Sequence, residues 1–383
     1  MGVDRLNNVP GFSIDRVAEA AGDDPEVLRL ENLDTDLRPP QEAIDATREA
    51  IDEDDSNSYL PFIGQNDLRE AATWHVSRLS GTSYDPYRNS AITAGGSEGL
   101  FNALLATVNQ GDEVILTDPT YAGMIYRVRL AGGTPRLTPF VLCGNEWRLD
   151  TDALRNAVTD RTRVLFIMNP SMPSGATLNR EEWEVISELC RSHNLWLLYN
   201  AAMERILYDE RPYLHPVSLP GMAERTITVG SISKEYRMIG WRVGWVVGPD
   251  TIMDDIGLVG IYNVVTPVGL TQSAAAVALR SPDSDVADAV VEWQRRRDVI
   301  VEELADLPLI PAAGGWSMLI NVGRLGYKSF TASDRLLQHG KIAATPMRDW
   351  GEINGDQFIR FVFSNEPVDR LRGIGQRVRH ALA

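Results

Sequence analysis

The sequence predicts an α/β fold: a three-layer sandwich around a mainly parallel sheet, with a smaller α+β domain beside it. Two observations carry this expectation. From about Asn89 onward short apolar runs alternate with longer amphipathic stretches, the pattern of crossover units whose helices cover both faces of parallel strands. At 383 residues the chain also exceeds what one hydrophobic core usually serves, so two structural units are expected.

Taken in order, residues 1–45 read as an N-terminal arm and part of the small domain, 46–280 as the large domain, and 281–383 as the small C-terminal domain. The arm has too little apolar content to fold alone and is expected to pack on the smaller unit. In the large domain the strand-like SAITAGG precedes the helical SEGLFNALLATV, EVILTDP precedes AGMIYRVRLAG, and RVLFIMNP precedes EEWEVISELCRSH. LWLLYN and RTITVGS are further strands. Near Thr271 the pattern becomes long and helical, broken only at Ser281-Pro282. The small domain then offers the strands WSMLINV and FIRFVFS and a closing helix, VDRLRGIGQRVRHALA. No internal repeat, low-complexity tract or linker interrupts the chain.

Composition excludes several functional classes. With 44% apolar and 23% charged residues the chain is an ordinary globular one. A formal net charge of -16 opposes a nucleic-acid surface, which needs clustered Lys and Arg. Cys143 and Cys190 lie far apart, without the spacing of a zinc site or a disulfide framework, and read as reduced thiols. No metal is expected. The first thirty residues carry charges throughout and no apolar run reaches membrane-spanning length, so no membrane association and a cytoplasmic location are expected.

The segment Gly230 to Gly244, GSISKEYRMIGWRVG, is the most informative. A lysine that forms an imine must be held near a cofactor with little solvent, and Lys234 follows the apolar run TITVG, where a buried strand would end. Ser231, Ser233 and Arg242 supply the hydroxyls and the guanidinium fork that grip a phosphate dianion. Gly95, Gly96 and Ser97 stand between strand-like NSAIT and helix-like EGLFNALL. Strand, glycine turn and helix leave unpaired backbone N–H groups at a positive helix end, an anion site.

On these motifs the chain resembles, over essentially its whole length, the class I/II aminotransferases, fold type I of the enzymes that use pyridoxal 5′-phosphate (PLP). SISK followed by GWRVG resembles the family's lysine signature and TAGGSEGL its phosphate-binding turn. The resemblance implies PLP held on Lys234 as a Schiff base, an amino acid as substrate, and a homodimer with shared active sites. It further implies that Tyr121 of TDPTY stacks on the cofactor ring and that Tyr59 of YLPFIGQNDLRE reaches the partner subunit's phosphate. Arg360 of FIRFVFS would fork onto the substrate α-carboxylate.

The departures from the family pattern are equally specific. Where the family has an aspartate that holds the pyridine nitrogen protonated, followed three residues later by a tyrosine, this chain has Asn200 and Met203. Where an Asn-Pro-Thr-Gly motif supplies an asparagine to the cofactor's phenolic oxygen, the segment Asn169 to Gly175 places Met172. An amide stabilises a pyridinium less than a carboxylate does, so the ring is expected to be a weaker electron sink. Non-standard chemistry is therefore the first functional expectation: β-elimination of a cysteine-conjugate-like substrate, or decarboxylation or oxidative deamination, in specialised metabolism. Conventional transamination is the second. A catalytically silent PLP-binding sensor is the third, and the acidic charge opposes it.

Overall fold

The computed structural model describes residues 6, 9 and 13–383, so the beginning of the expected arm lies outside the described residues. After the short β1 (Leu28–Leu30) come β2 (Ser90–Thr93), β3 (Glu113–Asp118), β4 (Thr134–Cys143), β5 (Glu146–Leu149), β6 (Thr162–Met168), β7 (Trp196–Asn200), β8 (Thr226–Ser231) and β9 (Gly244–Val247). These eight form one sheet in the order β2-β9-β8-β7-β6-β3-β4-β5. Strands β8, β7, β6, β3 and β4 run parallel. β9 is antiparallel to both of its neighbours, and β5 folds back on β4.

Strands β3, β8 and β9 are buried along their whole length. Helices on both faces leave no side to solvent, which is why these strands read as continuous apolar runs. Between β6 and β7, the helix Arg180–Ser192 starts in a capping box: the Asn179 side chain accepts from Glu182 N at 2.8 Å, and the Glu182 carboxylate accepts from Asn179 N at 2.7 Å. Its inward face carries Trp183, Ile186, Leu189 and Cys190 at helical spacing. The β4–β5 hairpin has no counterpart in the sequence reading. Pro135 and Pro139 argue against a strand there, yet they lie on the part of β4 that β5 leaves uncovered, since β5 pairs only with Phe140–Cys143.

The remaining strands, β10 (Leu309–Ile310), β11 (Ser317–Asn321), β12 (Ile342–Pro346) and β13 (Phe358–Val362), form a second sheet with β1 in the order β1-β12-β13-β11-β10. β1 pairs in parallel with β12, and Val17 and Ala21 of the helix Ser13–Ala21 pack with Val27 and Ala343. The N-terminal segment thus borrows its core from the small unit. The expected closing helix is instead two, Val368–Leu371 and Ile374–Ala381. Gly373 separates them at φ +82°, a left-handed conformation that suits glycine.

Candidate active site

Strand register assembles the site before any side chain is considered. Thr93 of β2, Gly244 of β9 and Ser231 of β8 lie side by side across three strands. β2 and β8 end at this row, whereas the antiparallel β9 begins there. The segment before β9 therefore arrives at the carboxyl edge of the sheet, where ligands bind in such folds, and brings Arg242 with it.

A cavity of about 370 Å³ opens at this edge, lined by Gly96, Ser97, Ser231, Ser233, Lys234 and Arg242 on one side. Gly95 precedes the helix Gly96–Thr107 at φ +81°. A Cβ on Gly95 would stand 2.5 Å from the Arg242 Nη2, and one on Gly244 2.5 Å from the carbonyl carbon of Gly95. Any side chain there would fill the cradle. Arg242 itself holds φ +53°, a backbone position that non-glycine residues adopt at some cost and that recurs at functional sites. Helix-start N–H groups, three hydroxyls and a guanidinium fit a phosphate dianion.

Lys234 stands beside this cradle, its Nζ donating to the Leu33 carbonyl at 2.7 Å and lying 4.9 Å from the Trp316 ring centroid. Burial is the main cause that pushes its ammonium down to about 7, opposed by Asp34 and helped by Arg360 and Arg242. A substantial share of the amine is then neutral, and therefore nucleophilic, at neutral pH.

Arg360 sits mid-strand in β13, opposite Leu319 of β11 and Thr345 of β12. Its guanidinium is fully buried: Nη2 donates to the Glu31 carbonyl and to Thr345 Oγ1, Nη1 to Met172 Sδ at 3.6 Å, and Trp350 covers it with its ring centroid 4.8 Å away. Nε has no partner among the described residues. Burial depresses this guanidinium to about 9, against the pull of Glu31 and Tyr121. A buried cation held by a carbonyl, a hydroxyl and a thioether, without a carboxylate bonded to it, suits an incoming anion.

Further along the same sheet edge, register places Asn200 between Met168 of β6 and Val229 of β8, and Asn200, Met168 and Met172 line the wall. Tyr121 and Trp350 also line it, with ring centroids 6.3 Å apart. The loop after Trp350 is pinned by buried Asp118, whose carboxylate accepts from Glu352 N and Ile353 N at 2.8 Å and from Asn354 N at 3.0 Å.

Met203 is not brought to the cavity, contrary to the sequence expectation. After Asn200 the chain turns, Ala202 takes the place on the cavity wall, and Met203 is buried in the core with its Cε near Gly315. Tyr59 stands away from its own chain's cavity and is 81% exposed. Sequence reasoning missed Trp350, Leu33, Ile14 and Asp15 on the wall. These come from the arm and from the loop RDWGEIN, which carry no periodicity or motif.

Behind Asn200 lies a buried polar cluster. Glu204 accepts from the hydroxyls of Tyr213 at 2.7 Å and Tyr199 at 3.3 Å, with His75 Nε2 at 3.8 Å and His215 Nε2 at 3.9 Å. Burial, then the charge of Glu235, raises the Glu204 carboxyl to about 8. Burial also lowers His75 well below its ordinary range and His215 to about 3.

The sequence profile described as "Aminotransferase class I and II" matches residues 27–373. The chain belongs to this family. It is 30% identical over 381 residues to an aspartate aminotransferase of Pyrococcus abyssi, covering 97% of each chain. To an arginine–pyruvate transaminase of Pseudomonas aeruginosa it is 32% identical, over 82% of this chain and 80% of the other. The solved N-succinyldiaminopimelate aminotransferase of Mycobacterium tuberculosis superposes with a TM-score of 0.93 at 29% identity over the full length of both chains. The cofactor of this aminotransferase-family enzyme is pyridoxal 5′-phosphate, and the cradle around Lys234 fits its phosphate. Among the described residues no helix is long and apolar enough to cross a membrane.

Proposed function

We propose that the protein transfers the amino group of an α-amino acid to an oxo acid. The observation that supports this reading is a single cavity lined at once by Lys234, by Arg360 and by the groups gathered at the row Thr93–Gly244–Ser231. When bound, PLP supplies an aldehyde for the lysine and the amino acid and a ring that draws electrons from the substrate α-carbon. Ser231, Ser233, Ser97, Gly96 and Arg242 would hold its phosphate, with the Gly95 backbone packed under Arg242. Lys234 would hold the cofactor, and its Nζ would take the proton from the substrate α-carbon and return it. The Arg360 fork receives the α-carboxylate. Tyr121 would lie against the ring, and Trp350 and Ile14 on the cavity wall would exclude water. The relatives' names, covering aspartate, arginine and aromatic substrates, support an amino-acid donor and leave its side chain open.

Asn200 and Met172 on the cavity wall favour a second reading, in which the same scaffold expels a leaving group or a carboxylate from the amino acid. An active homodimer is part of the proposal: exposed Tyr59, Phe62, Leu258 and Tyr262, the last 86% exposed, suit a subunit interface. The unpaired Cys143 and Cys190 suit a cytoplasmic setting.

Borohydride reduction of the PLP-loaded protein, followed by peptide mapping, should place the label on Lys234. A label on another lysine would sink the assignment. Incubation with amino acids should then return the cofactor aldehyde only when an oxo acid is added. Release of ammonia with pyruvate in its absence would instead select the second reading.

A further inference from the structure

The end of β7 deepens this functional reading and rests on it for the place of the cofactor ring. Asn200 lines the cavity, and its Oδ1 accepts the backbone N–H of Ala202 at 3.1 Å. A backbone N–H can only donate, so this bond fixes which end of the amide is which. The oxygen turns to the backbone. The NH₂ is the end left for the cavity, where an aspartate at this position would present an anionic oxygen.

Among the described residues no carboxylate takes over that role. Glu204 is turned into the buried cluster with Tyr199, Tyr213, His75 and His215. Asp118 is occupied by the N–H groups of residues 352, 353 and 354. Among the described residues Asp15 is the one acid on the cavity wall, and it is exposed, on the helix Ser13–Ala21.

We infer that Asn200 donates a hydrogen bond to the ring nitrogen of bound PLP and keeps that nitrogen unprotonated. An N–H facing a protonated nitrogen would set two hydrogens against each other, whereas the unprotonated nitrogen accepts the bond, so the amide favours the neutral ring. Charge left on the substrate α-carbon is then poorly drawn into the ring. Reactions that discharge it at once gain relative to those that must hold it.

The test is the ¹⁵N NMR spectrum of the holoenzyme loaded with PLP labelled at the ring nitrogen. The native protein should show the resonance of an unprotonated pyridine across neutral pH. Asn200→Asp is nearly isosteric, can still accept from Ala202 N–H, and should move the resonance upfield into the pyridinium range. Asp15→Asn should leave the native resonance in place. A pyridinium resonance in the native protein overturns the inference, and so does a resonance that Asn200→Asp fails to move. Should Asn200→Asp not fold or load, the native spectrum alone decides. Borohydride mapping of the same sample separates the two levels: label on Lys234 with a pyridinium signal defeats only the Asn200 inference, whereas label elsewhere defeats the functional reading as well.

Discussion

The two ends of the cavity are built on different principles. At the phosphate end the groups are backbone N–H, glycine, serine hydroxyls and one arginine, set by the register of three adjacent strands. At the ring end the wall is an amide and thioethers, Asn200, Met168 and Met172, and buried Glu204, four residues on, is bonded to Tyr199 and Tyr213. The phosphate end serves a ligand of fixed charge, so its chemistry has little freedom. The ring end would set how strongly the cofactor draws electrons, and there one atom changed on an isosteric side chain would alter that draw. The comparison separates the residues proposed to hold the cofactor from those proposed to tune it.

Lys234 belongs to both ends, and its removal should have the largest effect. Lys234→Ala should lower turnover about 10²- to 10⁴-fold, the range for a lost proton-transfer group, while PLP still binds but without a reducible link. Near-native turnover would break the comparison at its centre. Arg360→Lys tests whether carboxylate recognition is separable from cofactor binding. Loss of the planar fork should weaken amino-acid binding by about 1.5–3 kcal/mol, the value of a hydrogen bond to a charged group, with PLP affinity unchanged. Equal affinity of the native enzyme for an amino acid and for the matching amine would remove Arg360 from this role.

Ser231→Ala should act only at the phosphate end, weakening PLP binding by about 1–2 kcal/mol with the substrate dependence of the loaded enzyme unaltered. A changed product ratio would show that the ends are coupled. Hybrid dimers sharpen the same point across subunits. A Tyr59→Phe subunit paired with a Lys234→Ala subunit has one site free of both changes, and should regain activity above either parent, up to about half of native by simple site counting.

The smallest effect concerns the cluster behind Asn200. The Glu204 carboxyl is raised in the folded protein to about 8 from an unfolded value of 4.5, so the folded state binds the extra proton between those values. Its contribution to stability is present below the unfolded value and is lost as pH rises toward 8, with a slope no steeper than about 1.4 kcal/mol per pH unit. Glu204→Gln should flatten that decline in urea unfolding series across this window. The opposite shifts of His75 and His215 are common to both proteins and cancel in the difference. Parallel pH profiles would mean that Glu204 is ionised in the fold.

The central architecture and most of the site were legible in the sequence because they rest on local signals. Buried strands announce themselves as unbroken apolar runs, as in TITVG before Lys234, and the glycine turn and the serine–lysine–arginine segment lie directly after such runs. The identities of Asn200 and Met172 were likewise readable from their motifs. Tertiary structure alone decided the rest. Met203 follows Asn200 by three residues, yet the turn through Ala201 and Ala202 sends it into the core, because side-chain direction in a turn depends on backbone angles that no residue spacing encodes. Leu33 and Trp350 meet the cavity from opposite ends of the chain, Trp350 in a loop held by Asp118, 232 residues earlier in the chain than Trp350 (350 − 118). The orientation of the Asn200 amide depends on the Ala202 N–H, a hydrogen bond that exists only once the strand has ended and the chain has turned.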